Sequence, residues 1–172
     1  VSQPDRPRGR GRRPEPSPVS QRAIALGLPL LRPEKAGAPE VRAAIAARAP
    51  DLGVVVAFGQ FLPRALRELP ARGYLINAHA SLLPRHRGAA PIQHAILAGD
   101  AETGISVMRV EREMDAGPVA LVRRTPIAPE DDAGSLGERL AALAADAIAA
   151  ALDAIARDAV VWTPQDDAAA TL

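Results

Sequence analysis

Short apolar runs rich in β-branched residues alternate along this chain with segments of helical spacing. The clearest run is Gly-Val-Val-Val-Ala at residues 53–57, which is typical of a strand buried on both faces. Further strands are predicted near residues 74–79, 104–110 and 119–125. Such alternation predicts an α/β fold with a mostly parallel sheet. Because ligands bind beyond the carboxyl ends of strands in such sheets, chemistry is expected just after residues 57, 79 and 110.

Helices are predicted between and after these strands. The longest covers residues 135–157, where leucine, isoleucine and alanine recur at helical spacing and Ser135 with Glu138 gives a capping-box pattern. Shorter helices are predicted at residues 19–27, 39–49, 62–69 and 88–98. Residues 1–18 are interrupted by proline and glycine, which predicts a loop. A short strand is expected around Val160–Trp162.

Length and composition exclude several classes of protein. The 172 residues fit one domain, and the absence of cysteine excludes disulfides, thiolate metal sites and cysteine nucleophiles. The three histidines lack metal-ligand spacing, so no metal is expected. No apolar run approaches the ~18 residues of a membrane span. We therefore expect a soluble, cytoplasmic protein that does not bind membranes. A monomer is expected as well.

Positive charge is concentrated at the start of the chain. The net charge is only +1, yet arginines occupy positions 6, 8, 10, 12 and 13, and Asp5 is the only acidic residue among the first 13. Such a run suits a nucleic-acid backbone, which gains affinity when its counterions are released. A solvated tail is the alternative, and for an arbitrary arginine run it is the more common one.

Three polar residues are candidates for chemistry. Asn77 and His79 lie two apart at the carboxyl end of a predicted strand, so their side chains share a face. Burying them unpaired costs about 1–3 kcal/mol, and from spacing alone a functional and a hydrogen-bonded structural role are equally open. Asp115 follows a later strand in Glu-Met-Asp-Ala-Gly, where an aspartate is more often a turn residue than a catalyst.

The loop after His79 contains apolar residues. Leu82 and Leu83 could form a wall for a flat ligand, or the loop could simply pack on the core. His86 and His94 are predicted to lie on the surface without a role.

Residues 76–92 read Ile-Asn-Ala-His-Ala-Ser-Leu-Leu-Pro-Arg-His-Arg-Gly-Ala-Ala-Pro-Ile and resemble the signature of the folate-dependent formyltransferases. Within that family the run is most similar to the members that act on methionyl-tRNA. Met-Asp-Ala-Gly at residues 114–117 stands where the family keeps its third catalytic residue, and residues 3–11 match its basic tRNA loop. Members acting on glycinamide ribonucleotide have a similar Asn-x-His and Ser-Leu-Leu-Pro but lack this opening.

The resemblance implies a Rossmann-like formyltransferase fold with flanking helices. It implies transfer of the formyl group of 10-formyltetrahydrofolate to the amino group of initiator methionyl-tRNA, without a metal. The catalytic residues would be Asn77, His79 and Asp115. The folate-binding residues would be Ser81, Leu82, Leu83, Pro84 and Phe58. The tRNA-binding residues would be Arg6, Arg8, Arg10 and Arg12, with Arg10 the foremost of them.

The resemblance also implies a domain organisation. Residues 1–158 would be the catalytic domain without its upstream first strand, with residues 1–18 as the basic tRNA loop. Residues 159–172 would begin a linker to a carboxyl-terminal tRNA-binding domain. A formyltransferase acting on an amino sugar nucleotide or another small amine is one alternative, although the basic opening favours tRNA. A second alternative is a non-catalytic RNA-binding module. It is disfavoured because single-strand binders stack bases on aromatic side chains, and only 2% of this chain's residues are aromatic. The third alternative is an inactive fragment.

Overall fold

The computed structural model describes residues 1–8 and 13–172. Backbone contacts group them into two units, residues 1–51 with 57–73 and residues 52–56 with 74–172. Strands and helices are numbered in chain order across both units.

The first unit carries a short pair of strands and three helices. Strand β1 (Arg6–Arg8) pairs antiparallel with β2 (Arg13–Glu15), so the predicted loop at residues 1–18 contains a two-stranded ladder. The helices are α1 (Pro18–Ala25), α2 (Pro39–Ala46) and α3 (Arg64–Arg67). They confirm the three helices predicted in this part of the chain, with ends that differ by a few residues.

The second unit contains a four-stranded sheet in the order β3-β4-β5-β6. Its strands are β3 (Gly53–Val55), β4 (Leu75–His79), β5 (Glu102–Arg109) and β6 (Val119–Pro126). The α/β class is confirmed, but the sheet is mixed instead of mostly parallel. Only β3 and β4 run parallel, whereas β4–β5 and β5–β6 are antiparallel. A short connection between β5 and β6 suffices because antiparallel neighbours need no long crossover.

Helices α4 (Pro91–Leu97) and α5 (Ala133–Ala156) complete the second unit. The apolar face of α5 packs on Ile76 of β4 and on Ile105 and Val107 of β5 to form the core. The capping box lies three residues before the predicted one. Asp132 accepts from the amides of Gly134 and Ser135, both at 2.8 Å, and the Ser135 hydroxyl accepts from the Asp132 amide. The extended backbone of Asp132 turns its carboxylate onto these amides, which Ser135 inside the first turn cannot do.

Two strands differ in burial from their predicted patterns. Val54 is 42% exposed and Val56 is 52% exposed, so the prediction of a strand buried on both faces is wrong for β3. Among the described strands, β3 pairs with β4 alone and is an edge of the sheet. Strand β5 is buried at six consecutive positions, Thr103 to Met108, including Ser106.

The end of the chain packs within the second unit. In place of the strand expected around Val160–Trp162, one antiparallel bridge joins Thr163 to Val119. A single-turn 3-10 helix follows at Asp167–Ala169. None of the helices in residues 1–8 and 13–172 is long and apolar enough to cross a membrane.

Candidate active site

Asn77 and His79 lie on the face of the sheet opposite α5. Ile76 and Ala78 of β4 pack in the core under α5, and strand side chains alternate between faces. Asn77 and His79 therefore project from the other face. In the ladder with β5 they pair with Met108 and Ser106.

His79 has a polar neighbour at each ring nitrogen. Its Nε2 lies 2.8 Å from the carbonyl oxygen of His86, and its Nδ1 lies 3.4 Å from Oδ2 of Asp115. A carbonyl oxygen can only accept, so Nε2 carries a hydrogen and donates it. Nδ1 is therefore the nitrogen that can face a ligand, on the side of Asp115. The ring is only 6% exposed, which limits competition from water.

Asp115 is positioned by the loop between β5 and β6. Its Oδ2 accepts a 2.9 Å hydrogen bond from the amide of Gly88, and its φ of 51° lies in the left-handed region. Gly117 lets this loop return close to β5, because a Cβ at that position would collide with the carbonyl of Arg109. The glycine of Met-Asp-Ala-Gly therefore serves the placement of the aspartate.

The Asn77 side chain is half-buried and makes no hydrogen bond to any residue in the described part of the chain. An amide in this situation has donors and an acceptor available for a ligand. Its neighbour on the same face, His79, is already paired. The structure therefore brings all three predicted catalytic residues into one unit and pairs two of them directly.

The loop that follows His79 is fixed by two buried serines. Ser106 of β5 donates to the carbonyl of Ser81 at 2.7 Å and accepts from the amide of Leu83 at 3.1 Å. Ser81 in turn donates to the carbonyl of Arg85. The Ser81 hydroxyl is thus engaged within the loop, and Leu83 and Pro84, joined by a cis peptide bond, are half-buried beside it. Sequence reasoning missed Ser106, although a serine inside an apolar strand was a signal.

The remaining predicted binding residues lie in the first unit or outside the residues that the structure describes. Phe58 is half-buried there, and its carbonyl accepts from the Gln3 side chain. Arg6 is exposed on β1 and donates to Oε1 of Gln3 at 3.2 Å. Arg8 is the last residue of β1. Arg10 and Arg12 lie outside the described residues.

His86 was predicted on the surface, and this prediction is wrong. The residue is only 7% exposed, and its Nε2 lies 2.8 Å from Oδ2 of Asp100. A φ of 53° turns its backbone so that the carbonyl reaches His79. Local sequence gives no sign of such a turn. His94, by contrast, is exposed as predicted.

This arrangement can stabilise negative charge and move a proton. The Asn77 amide and a protonated Nδ1 of His79 are donors for an oxygen that becomes anionic. The Asp115 carboxylate, 3.4 Å from Nδ1, can orient the imidazole and can accept a proton. In the part of the chain that the structure describes, no group of three or more histidine, aspartate or glutamate residues could hold a metal ion.

Comparison with known proteins gives a consistent picture. A family model described as formyl transferase matches residues 1–152. A methionyl-tRNA formyltransferase from Stutzerimonas stutzeri is 51% identical over 170 residues, which are 99% of this chain and 54% of that protein. One from Pseudomonas syringae is 49% identical over 169 residues, 98% of this chain and 54% of that protein. The chain thus spans about half the length of the curated relatives it matches.

The fold has close counterparts among solved structures. A crystal structure of phosphoribosylglycinamide formyltransferase from Anaplasma phagocytophilum is 26% identical and has a TM-score of 0.69. The match covers 84% of this chain and 76% of that one.

Proposed function

The chain belongs to the formyl transferase family, and we propose that it transfers the formyl group of 10-formyltetrahydrofolate to the amino group of initiator methionyl-tRNA. The observation that carries the proposal is the pairing of His79 with Asp115 beside the Asn77 amide, which makes no hydrogen bond to a described residue. Identity of about half over nearly the whole chain to methionyl-tRNA formyltransferases supports this choice of acceptor.

The first step is attack on the formyl carbon. The amino nitrogen of the methionyl group forms a bond to that carbon, and the carbonyl electron pair moves onto oxygen. The Asn77 amide and Nδ1–H of a protonated His79 donate to this oxyanion, and each such preorganised donor contributes about 3–4 kcal/mol in comparable sites. Asp115 keeps the imidazole charged and oriented while the oxyanion forms.

The second step releases the folate. The bond between the formyl carbon and N10 breaks as the oxyanion collapses, and N10 gains a proton. The attacking nitrogen loses one proton, which the Asp115 carboxylate accepts and passes to N10. The products are formylmethionyl-tRNA and tetrahydrofolate, so atoms and charge balance without a metal or an oxidant.

The binding roles follow the same proposal. Leu82, Leu83 and Pro84 form an apolar wall for the folate, and Ser81 and Phe58 are further folate-binding residues. The arginines of the basic loop, residues 1–18, contact tRNA phosphates; they are Arg6, Arg8, Arg10 and Arg12. Residues 1–158 form the catalytic domain. The co-substrate, the acceptor and a cytoplasmic location all belong to the proposal.

The acceptor can be tested by comparing three amines in parallel assays. The complete protein that contains this chain is supplied with 10-formyltetrahydrofolate and, in separate assays, with methionyl-tRNA, glycinamide ribonucleotide or an amino sugar nucleotide. We expect transfer to methionyl-tRNA alone. Transfer only to a small amine would overturn the tRNA assignment and leave the proposed chemistry in place. No transfer to any of the three amines would overturn the proposal that the protein is a formyltransferase.

A further inference from the structure

Gln165 uses its whole side-chain amide to connect two loops of the second unit. Its Nε2 donates to the carbonyl of Asp115 at 2.8 Å and to the carbonyl of Gly117 at 2.7 Å. Its Oε1 accepts from Nε of Arg87 at 3.0 Å and from Nη2 of Arg87 at 2.9 Å. Both N–H groups and both lone pairs of the amide are therefore satisfied.

Each of the two loops holds one partner of His79. One loop carries Asp115, which faces Nδ1, and the other carries the His86 carbonyl, which accepts from Nε2. The two loops also meet directly where the Gly88 amide donates to the Asp115 carboxylate. Arg87 lies between His86 and Gly88 in the sequence. A side chain that hydrogen-bonds to Arg87 therefore helps to fix the His86 carbonyl and the Gly88 amide.

Asp115 needs such support. Its backbone is in the left-handed region, which is uncommon for residues with a Cβ, although aspartate adopts it more readily than most. The preceding residues 111–114 are all exposed, so packing from that side cannot hold the loop. The hydrogen bonds of Gln165 to the carbonyls on either side of Ala116 supply the constraint.

Gln165 is itself held by the chain before it. The Trp162 ring packs edge-on against Tyr74, with centroids 5.5 Å apart, and the Arg109 guanidinium lies 4.4 Å from the Trp162 ring centre. Thr163 then exchanges two backbone hydrogen bonds with Val119, at 2.8 and 2.9 Å. The segment is thus fixed two residues before Gln165.

The chain after Gln165 is anchored as well. Thr171 accepts from the amide of His86 through Oγ1 and from the amide of Arg87 through its carbonyl, both at 2.8 Å, and donates to the carbonyl of Pro84. Asp167 pairs with Nη2 of Arg87 at 2.8 Å. Fixed on both sides, Gln165 meets the loops with its side chain already oriented.

We propose that Gln165 is a positioning residue for formyl transfer, which holds the Asp115 carboxylate beside His79 by joining the two loops that carry the partners of the imidazole. The inference rests on the proposed function for its kinetic consequence. Gln165 acts through Asp115 and needs no contact with either substrate.

Two substitutions distinguish the effect of the Gln165 hydrogen-bond donors from the effect of its side-chain volume. Gln165→Ala removes the connection. Gln165→Glu keeps the size and the pairing with Arg87, but it removes both donors and sets a carboxylate against two carbonyl oxygens. In the complete protein we expect each variant to lower kcat by about tenfold to a hundredfold with the KM of both substrates nearly unchanged. Gln93→Ala, at an exposed position on α4, is the matched control and keeps wild-type kcat.

A second measurement distinguishes positioning from general support of the fold. If Gln165 acts through the carboxylate, Gln165→Ala causes no further loss of kcat in an Asp115→Ala background. If Gln165 merely stabilises the fold, the fold-losses in kcat of the two single variants multiply in the double variant. Wild-type kcat in Gln165→Glu, or multiplied losses, would overturn the inference.

Amide exchange gives a readout that does not depend on activity. The Gly88 amide donates to the Asp115 carboxylate, so its hydrogen is protected while that carboxylate is in place. In Gln165→Ala we expect Gly88 to lose most of this protection, and unchanged protection would overturn the inference. If the wild-type protein transfers no formyl group but Gly88 behaves as expected, the proposed function fails and the positioning role stands.

Discussion

At the scale of single residues, the candidate site depends on backbone groups as much as on side chains. A carbonyl fixes Nε2 of His79, an amide holds the carboxylate of Asp115, and two further carbonyls anchor the loop around Asp115. Backbone groups move only when their loop moves. The geometry of the site therefore depends on residues that set the course of a loop, and Gly117 is one of them.

Gly117→Ala should displace the Asp115 loop. The new Cβ would collide with the backbone carbonyl of Arg109, which cannot swing aside as a flexible side chain could. We expect a loss of about 1–3 kcal/mol in the free energy of unfolding, as for overpacked sites, together with a lower kcat. Chemical denaturation and the transfer assay measure the two effects.

Gly137→Ala provides the control for this substitution. Its Cβ would meet only Ile92 at an ordinary 3.8 Å within helix α5. Alanine in a helix interior is favoured by about 0.5–1 kcal/mol over glycine, so this variant should be as stable as the wild type or more so. A Gly117→Ala variant that matched it in stability and kcat would contradict the packing argument.

At the scale of secondary-structure elements, α5 organises the core of the second unit. Leu136, Leu140, Ala147 and Ile155 are almost fully buried, whereas Leu152 is 36% exposed. Helical periodicity in the sequence predicted that all these residues lie on one apolar face of the helix. It did not show that Leu152 lies at the margin of that face.

Leu140→Ala should be far more costly than Leu152→Ala. Leu140 is 1% exposed, and removing it leaves a cavity that its neighbours fill only in part. A loss of about 2–5 kcal/mol in the free energy of unfolding is expected at such a site. Both variants are compared by chemical denaturation, and equal losses would mean that α5 does not pack on the sheet as described.

The start of α5 should give a pH-dependent contribution to stability. The Arg139 guanidinium and the Ala128 amide, which bond to Asp131, lower the pKa of that carboxyl from its ordinary 3.8 to about 2. Because the folded pKa is depressed, the stabilisation is fully present above pH 3.8 and is lost as the pH falls towards 2.

Asp131→Asn should therefore have a lower Tm than the wild type at pH 7, with a difference that shrinks between about pH 4 and pH 2. Asp153→Asn, at an exposed carboxylate of α5 that forms no ion pair with a described residue, controls for the loss of one charge. A Tm difference for Asp131→Asn that stayed constant down to pH 2 would contradict the assignment.

Sequence patterns predicted what depends on local geometry. Asn77 and His79 were expected on one face because alternation along a strand does not depend on the rest of the fold. The partners of His79 could not be predicted in this way. The His86 carbonyl reaches the ring only through a positive φ, and Gln165 lies 50 residues from Asp115 along the chain. Asp115 itself was identified through a resemblance, since its turn sequence alone favours a structural role.

The strand directions were also beyond local patterns. An apolar run of β-branched residues predicts a strand, but it does not show which way the neighbouring strand runs. Strand β5 runs antiparallel to β4, and no local pattern in its sequence indicates that direction. The burial of Ser106 arises because the loop at residues 81–85 covers that face of β5.

At the scale of the whole molecule, the even balance of charge limits how nucleic acid can be bound. With a net charge of +1, the protein has no overall attraction for a polyanion. Under the proposed function, the contribution of this chain to tRNA affinity comes from local arginines such as Arg6, which is exposed on β1. Each phosphate contact adds its own share of salt dependence.

Arg6→Ala should weaken tRNA binding and reduce its dependence on salt. If Arg6 contacts one phosphate, the slope of log K against log salt should become less steep by about 0.7–1. Arg123→Ala, at an exposed arginine on β6 of the other unit, is the matched control and should keep the wild-type slope. The slopes are obtained by measuring tRNA binding across a range of salt concentrations. Identical slopes for the wild type and both variants would mean that Arg6 does not contact a tRNA phosphate.

The most direct test of the central claim is the kcat of formyl transfer from 10-formyltetrahydrofolate to methionyl-tRNA by His79→Ala, measured beside His94→Ala in the complete protein. His79 lies between Asp115 and the His86 carbonyl, whereas His94 is exposed on α4. We predict that His79→Ala loses about a hundredfold to a thousandfold in kcat, as expected when an oxyanion donor is removed, and that His94→Ala turns over like the wild type. Full turnover by His79→Ala would contradict the account.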